Sequence, residues 1–174
     1  MTKAEKTSKK LKDRCHILEK LIISISDTYC AEETTADQKK LIETILGAAL
    51  WYLPHNEKYW TGKISKDAEE VLRNDVKAKL TKEHQYPRKI AAKELLKAKN
   101  KLAQKEVCLQ TLYEEKYAKF NYVTPQENKK ISKFQREGVF VDIATAYSLA
   151  KIELREITTQ ELKNLKKGRK KLVS

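Results

Sequence analysis

Four glycines and three prolines are all that punctuate a chain of 174 residues. A loop-rich all-β fold draws its turns from those two residue types, so this chain is poorly suited to one. Lysine, glutamate, leucine and alanine dominate instead, and each is a good helix former. Hydrophobic residues make up 40% of the sequence, enough to bury a core in one compact domain.

Apolar spacing predicts where the helices lie. Leu11, Cys15, Leu18, Leu21, Ile22 and Ile25 recur with helical period after a polar, frayed first dozen residues. "TTADQ" supplies N-cap residues for a second helix, with Leu41, Ile42, Ile45, Leu46 and Ala49 on one face, stopping before Pro54. "WYLPHNEKYWTGKIS" (51–65) reads as an aromatic loop that plugs packed helices; a base-stacking platform is the sharper alternative. Ser65 can cap a third helix running to Leu80. A long helical pattern follows Pro87, broken around Asn100. "KYAKFNYVT" suits a strand, and Thr124, Pro125 and Glu127 form a capping box that opens a short helix. Ile143 to Ala150, and a stretch capped by Thr158 and Glu161, are helical again.

The formal net charge is +13, from 37 Lys+Arg against 24 Asp+Glu. Such an excess attracts polyanions at long range, nucleic acid first and an anionic membrane surface second. A lysine-rich composition without function is the bland account. Cys15, Cys30 and Cys108 are too widely spaced for a structural zinc site and read as free thiols, buried by default, in a reducing cytoplasm. No stretch approaches the roughly 20 apolar residues of a membrane span, so the expectation is a soluble intracellular protein.

One segment invites chemistry. "KLTKEHQYPRK" (79–89) sets Glu83 beside His84, three residues before Pro87. Metal-assisted phosphodiester cleavage needs a base to activate water and a hard cation to stabilise the developing charge. A histidine is a suitable base near neutral pH, and Mg²⁺ takes oxygen ligands such as a carboxylate or an amide carbonyl. Glu83 and an asparagine carbonyl meet that need, with His84 as base, if the strand and helix at 120–132 fold back on the segment. The plain alternative is a polar turn, with His84 at a helix C-terminus and Asn128 solvated.

Glu83, His84 and Pro87, as E-H-x-x-P, with "FNYVTPQENKK" after them, resemble the HNH (ββα-metal, or His-Me finger) nucleases. The resemblance covers about 50 residues in two patches, split by a helical insert where compact HNH domains have a short loop. It implies that His84 is the general base and that Asn121 braces the loop carrying it. It implies further that Glu83 and Asn128 hold Mg²⁺ or Mn²⁺. Arg88, Lys89, Lys129 and Lys130, with Lys167, Arg169 and Lys170 of the basic tail, are candidate phosphate contacts.

The expected fold is therefore mainly α (α+β), a helical bundle with an embedded β-hairpin-plus-helix unit. Its segments are an N-terminal helical region (1–64), the HNH-like unit with its insert (65–140), and C-terminal helices with the tail (141–174). The expected function is metal-dependent cleavage of DNA, in restriction or mobile-element biology, with RNA left open as substrate. A homodimer suits double-strand cleavage, although no residue demands one. Two alternatives stand beside it: a non-catalytic nucleic-acid-binding or accessory protein, and a helical module for an acidic partner protein.

Overall fold

Helix α1 (Lys3–Cys30) buries Leu11, Cys15, Leu18 and Ile22 along one stripe. The computed structural model describes residues 2–74, 78–136 and 138–167. The polar N-terminal residues, expected to fray, are helical from Lys3. The reason is a capping box: the Thr2 hydroxyl accepts from the Glu5 N–H, and the Glu5 carboxylate accepts from the Thr2 N–H at 2.7 Å. The chain is mainly α with a small mixed sheet, and it divides into two units, each made of two separate segments. This partition runs differently from the sequence segments 1–64, 65–140 and 141–174.

The first unit takes Met1–Asn56 and Tyr86–Ala118. In it α1 is followed by α2 (Ala36–Trp51), which starts at a second capping box, Thr35 with Gln38. Ile42, Leu46 and Leu50 of α2 are buried, whereas Leu41 and Ile45, expected on the same face, are exposed. The buried stripe is narrower than the run of apolar residues. Helix α4 (Arg88–Lys97) packs on α2 and α1 and buries Ala91, Ala92, Leu95 and Leu96. Gly47 is where α4 meets α2: a Cβ there would touch the Arg88 carbonyl at 3.5 Å. The long helical pattern breaks at Ala98. It continues as α5 (Lys99–Ala103) and, after an open stretch, α6 (Leu109–Leu112), which runs into a π-helical turn over Tyr113–Tyr117. Of the three thiols, Cys15 is buried, and burial pushes its pKa up to about 12. Cys30 and Cys108 are exposed, unlike the expected buried thiols.

The second unit takes Glu57–Gln85 and Lys119–Ser174. Strand β1 (Trp60–Ser65) lies in the segment read as a loop. Gly62, at φ +83°, stands where its pairing with β3 (Phe120–Val123) shifts register, a strand irregularity that masks the alternating pattern. Helix α3 (Lys66–Asn74) is shorter than expected. Residues 78–80 are not helical, and β2 (Thr81–His84) follows. Then come β3, α7 (Pro125–Ile131), α8 (Ile143–Leu149), β4 (Leu154–Glu156) and α9 (Thr159–Lys167). The sheet order is β2-β3-β1-β4, with β2 and β4 antiparallel to their neighbours and β1 parallel to β3. One core of this unit is Val123, Ile131, Ala146, Tyr147, Ala150 and Ile152, with Phe134 and Phe140 against it.

The helical insert does not part the two strands. The chain leaves this unit after Gln85 and re-enters it at Lys119, and those residues are bonded, Gln85 N–H to the Lys119 carbonyl at 3.0 Å. A strand, its antiparallel neighbour and a helix thus follow one another, around the inserted Tyr86–Ala118, as β2, β3 and α7.

Candidate functional site

Register decides which of the expected site residues meet. In the antiparallel pair β2–β3, Glu83 lies opposite Asn121, and His84 opposite Phe120. Cross-strand partners share a face of the sheet and successive residues alternate, so Glu83 and His84 leave β2 on opposite sides. Glu83 (2% exposed) and Asn121 (0%) are buried together. His84 is half-buried, its ring 6.2 Å from that of Phe120. On His84's side of the sheet lies a charged and aromatic group. Lys82 pairs with Glu57 at 2.6 Å, and the Tyr122 hydroxyl donates to Glu57 at 2.7 Å. Burial raises the Glu57 carboxyl, but the bonds from Lys82 and Tyr122 outweigh it and hold the pKa below the ordinary value.

Around Glu83 and Asn121 runs a closed polar network. The Tyr147 hydroxyl, from α8, donates to Glu83 Oε2, and the Gln135 amide donates to Glu83 Oε1. Gln135 also donates to the His84 carbonyl at 3.3 Å. The Asn121 amide donates to the Tyr147 hydroxyl at 2.8 Å, while its carbonyl accepts from Thr61 and from Gln85. Desolvation pushes the Glu83 pKa up to about 7, against the lowering effect of its two hydrogen bonds. The same burial, with the Glu83 charge beside it, raises the Tyr147 hydroxyl. Thr61, at one end of the network, also lines a shallow cleft of about 320 Å³ with Gly62, Glu156, Ile157, Thr158 and Glu161.

Gln135, rather than Asn128, is the amide that meets Glu83. Asn128 lies on α7, half-buried, its N–H bonded to the Thr124 carbonyl. The buried side of α7 is instead Glu127 and Ile131, and the Glu127 carboxylate accepts from the Thr124 N–H and the Ser65 hydroxyl. Neither Gln135 nor Tyr147 stands out in the sequence: one follows a short helix and the other falls in an apolar repeat. A tyrosine in a core position opposite a buried acid is the only available signal.

This donor set does not suit a divalent cation. Mg²⁺ keeps several waters and takes a carboxylate with free lone pairs in an open position. Glu83 is enclosed, has both oxygens engaged by neutral donors, and is raised to about 7. Among the described residues no three His, Cys, Asp or Glu side chains cluster as metal ligands.

No protein-family model, curated protein or solved structure matches the chain.

The basic residues divide between the units. Lys129 and Lys130 are exposed on α7. Lys167 ends α9, and Arg169 and Lys170 lie outside the described residues. In the first unit Lys89 is exposed at the start of α4, and Lys93 and Lys97 follow at one-turn intervals, half-buried and exposed. Arg88 lies half-buried with its guanidinium stacked on the Trp51 ring. Burial lowers its pKa to about 10, against a smaller raising effect of Tyr113. Among the described residues no helix is long and apolar enough to cross a membrane.

Proposed function

We propose that this chain binds nucleic acid through its phosphates and uses Glu83 to hold the second unit together rather than to cut. The observation that carries the reading is the charge: +13 overall, with Lys89, Lys93 and Lys97 at successive turns of α4, flanking its buried stripe, the first and last exposed and Lys93 half-buried. A row of cations a helical turn apart, about 6 Å, follows a polyanion without reading its sequence. Glu83, enclosed by Tyr147 and Gln135, contributes to packing in this reading.

Fluorescence anisotropy with a labelled duplex between 50 and 200 mM salt tests it. Log affinity is expected to fall linearly with log salt, at about −0.9 for each phosphate contacted. Replacing Lys89, Lys93 and Lys97 with glutamine should flatten that slope by about 2 to 3. Absence of binding at 50 mM salt overturns the reading. Equal displacement by polyglutamate of matched charge points instead to an acidic protein partner.

A second reading, the metal-dependent endonuclease, is favoured by the order β2, β3, α7 within the second unit, which carries His84, Asn121 and Asn128 on elements that follow one another once the insert is set aside. It requires Tyr147 and Gln135 to release Glu83. Plasmid nicking with Mg²⁺ or Mn²⁺ decides: cleavage abolished by both His84→Ala and Asn128→Ala supports it, and cleavage surviving both sinks that site.

A further inference from the structure

The end of α2 carries two large aromatic residues that the core does not take up. Trp51, its last residue, is 47% exposed, and Tyr52, its C-cap, is 72% exposed. Tyr59, later in the same aromatic stretch, is buried at 3%, so exposure is not a general property of the stretch. An indole left half in water costs hydrophobic free energy that burial would recover. Its surroundings are not apolar either. Arg88 stacks on the Trp51 ring, the His55 ring meets it edge-on at 5.3 Å, and the Arg14 guanidinium donates to the Tyr52 carbonyl.

The placement follows from the packing of α2 on α4. Gly47 lets the backbone of α4 come close at Arg88. Trp51 is one helical turn further along α2, so the Arg88 side chain falls across its ring. From the same position Lys89, Lys93 and Lys97 lead away along α4. Aromatic surface and a line of cations therefore start at one point of the first unit.

We propose that Trp51 and Tyr52 form a stacking platform for unpaired bases, and that the first unit binds single-stranded nucleic acid, with Arg88, Arg14 and the α4 lysines neutralising its phosphates. Base–aromatic stacking tolerates any base, and a cationic groove beside it tracks the backbone. Charge favours this occupant: Arg88 stacks on the Trp51 ring, and Lys89, Lys93 and Lys97 follow it along α4 in a chain of net charge +13. The inference rests on the nucleic-acid reading above and adds to its duplex-tolerant phosphate contacts a site that prefers unpaired strands.

Trp51 and Trp60 are the only two tryptophans, so Trp60→Phe leaves Trp51 as sole reporter. Its fluorescence is titrated with a 15-nucleotide oligothymidylate and, separately, a duplex of equal length. The expected result is quenching by the single strand and little by the duplex. In the otherwise native chain, Tyr52→Ala and Trp51→Ala should each weaken oligothymidylate about fivefold or more, with duplex affinity nearly unchanged. Salt-dependent binding of both probes, with Trp51 unquenched and both variants within twofold, overturns the platform and leaves the broader reading standing. No binding of either probe at 50 mM salt overturns both. Should Trp51→Ala fail to fold, the quenching and Tyr52→Ala decide.

Discussion

Replacing Glu83 with glutamine isolates what burial does to its carboxyl. The side chain is 2% exposed, and desolvation lifts its pKa from the ordinary 4.5 to about 7. At about 1.4 kcal/mol per factor of ten, that difference is worth about 3 kcal/mol. The native state holds a proton that the unfolded chain releases. The resulting stabilisation is complete below pH ~4.5 and is lost as pH rises through about 7. Glutamine is neutral at every pH and of the same shape, and Gln135 can turn its amide to present oxygen to the new NH₂. Glu83→Gln should therefore match the native chain near pH 4.5 and exceed it by about 3 kcal/mol at pH 8. Urea unfolding measured from pH 4.5 to 8 reads this, followed by Trp60, which lies in β1 of the same unit, in a Trp51→Phe background. With slopes of about 1–3 kcal/mol per molar urea, the midpoints separate by roughly 1–3 M at high pH. Carboxylates with lowered pKa values, Glu57 and Asp142 among them, titrate in both proteins and cancel in the difference. A difference that stays constant across this range would refute the reasoning, since it would mean that Glu83 titrates as in the unfolded chain.

Other consequences can be measured in the same way. Tyr147→Phe leaves Glu83 Oε2 and the Asn121 amide unpartnered, at about 1–3 kcal/mol each; it also removes a bond that lowers the Glu83 pKa, so the pH transition should move upward. Glu127→Ala strips partners from the Thr124 N–H and the Ser65 hydroxyl, and should lower the urea midpoint of the second unit more than Glu127→Gln does. Gly47→Ala places a Cβ at ordinary contact distance from Arg88 and gains up to about 1 kcal/mol of helix propensity, so thermal unfolding should show an unchanged or raised Tm; Gly47→Ile should lower it by prising α4 from α2. Adding 10 mM Mg²⁺ should leave the midpoint of the second unit unmoved, whereas a resident site with a Kd near 0.1 mM would add about 2.7 kcal/mol.

Much of the local structure is legible in the sequence because its causes are local. The capping boxes at Thr124 and Thr158, the cap at Thr35, the strand at Phe120–Val123 and the helical repeats of α1 and α8 are set by residues within a turn or two of one another. Strands β1 and β4 were not legible. One carries a register shift beside Gly62, and the other is three residues long, too short for alternation to register as a pattern. For the candidate site, the sequence grouped Glu83 with Asn128 and set Asn121 beside His84; that Asn121 instead lies opposite Glu83 follows from strand register. Tyr147 reads as one more core residue of α8, and Gln135 as a polar residue after a helix.

The sequence by itself therefore determined the mainly helical class, the surplus of positive charge and most helix starts, all sums of short-range preferences and counts of residues. Tertiary structure alone decided three things. It set Glu83 and His84 on opposite faces of β2, because pairing with β3 imposes strand alternation on what could otherwise be a turn. It raised the Glu83 carboxyl by enclosing it, since desolvation depends on neighbours up to 64 residues away. It also brought Arg88 across Trp51, through a helix contact at Gly47 that no local pattern encodes.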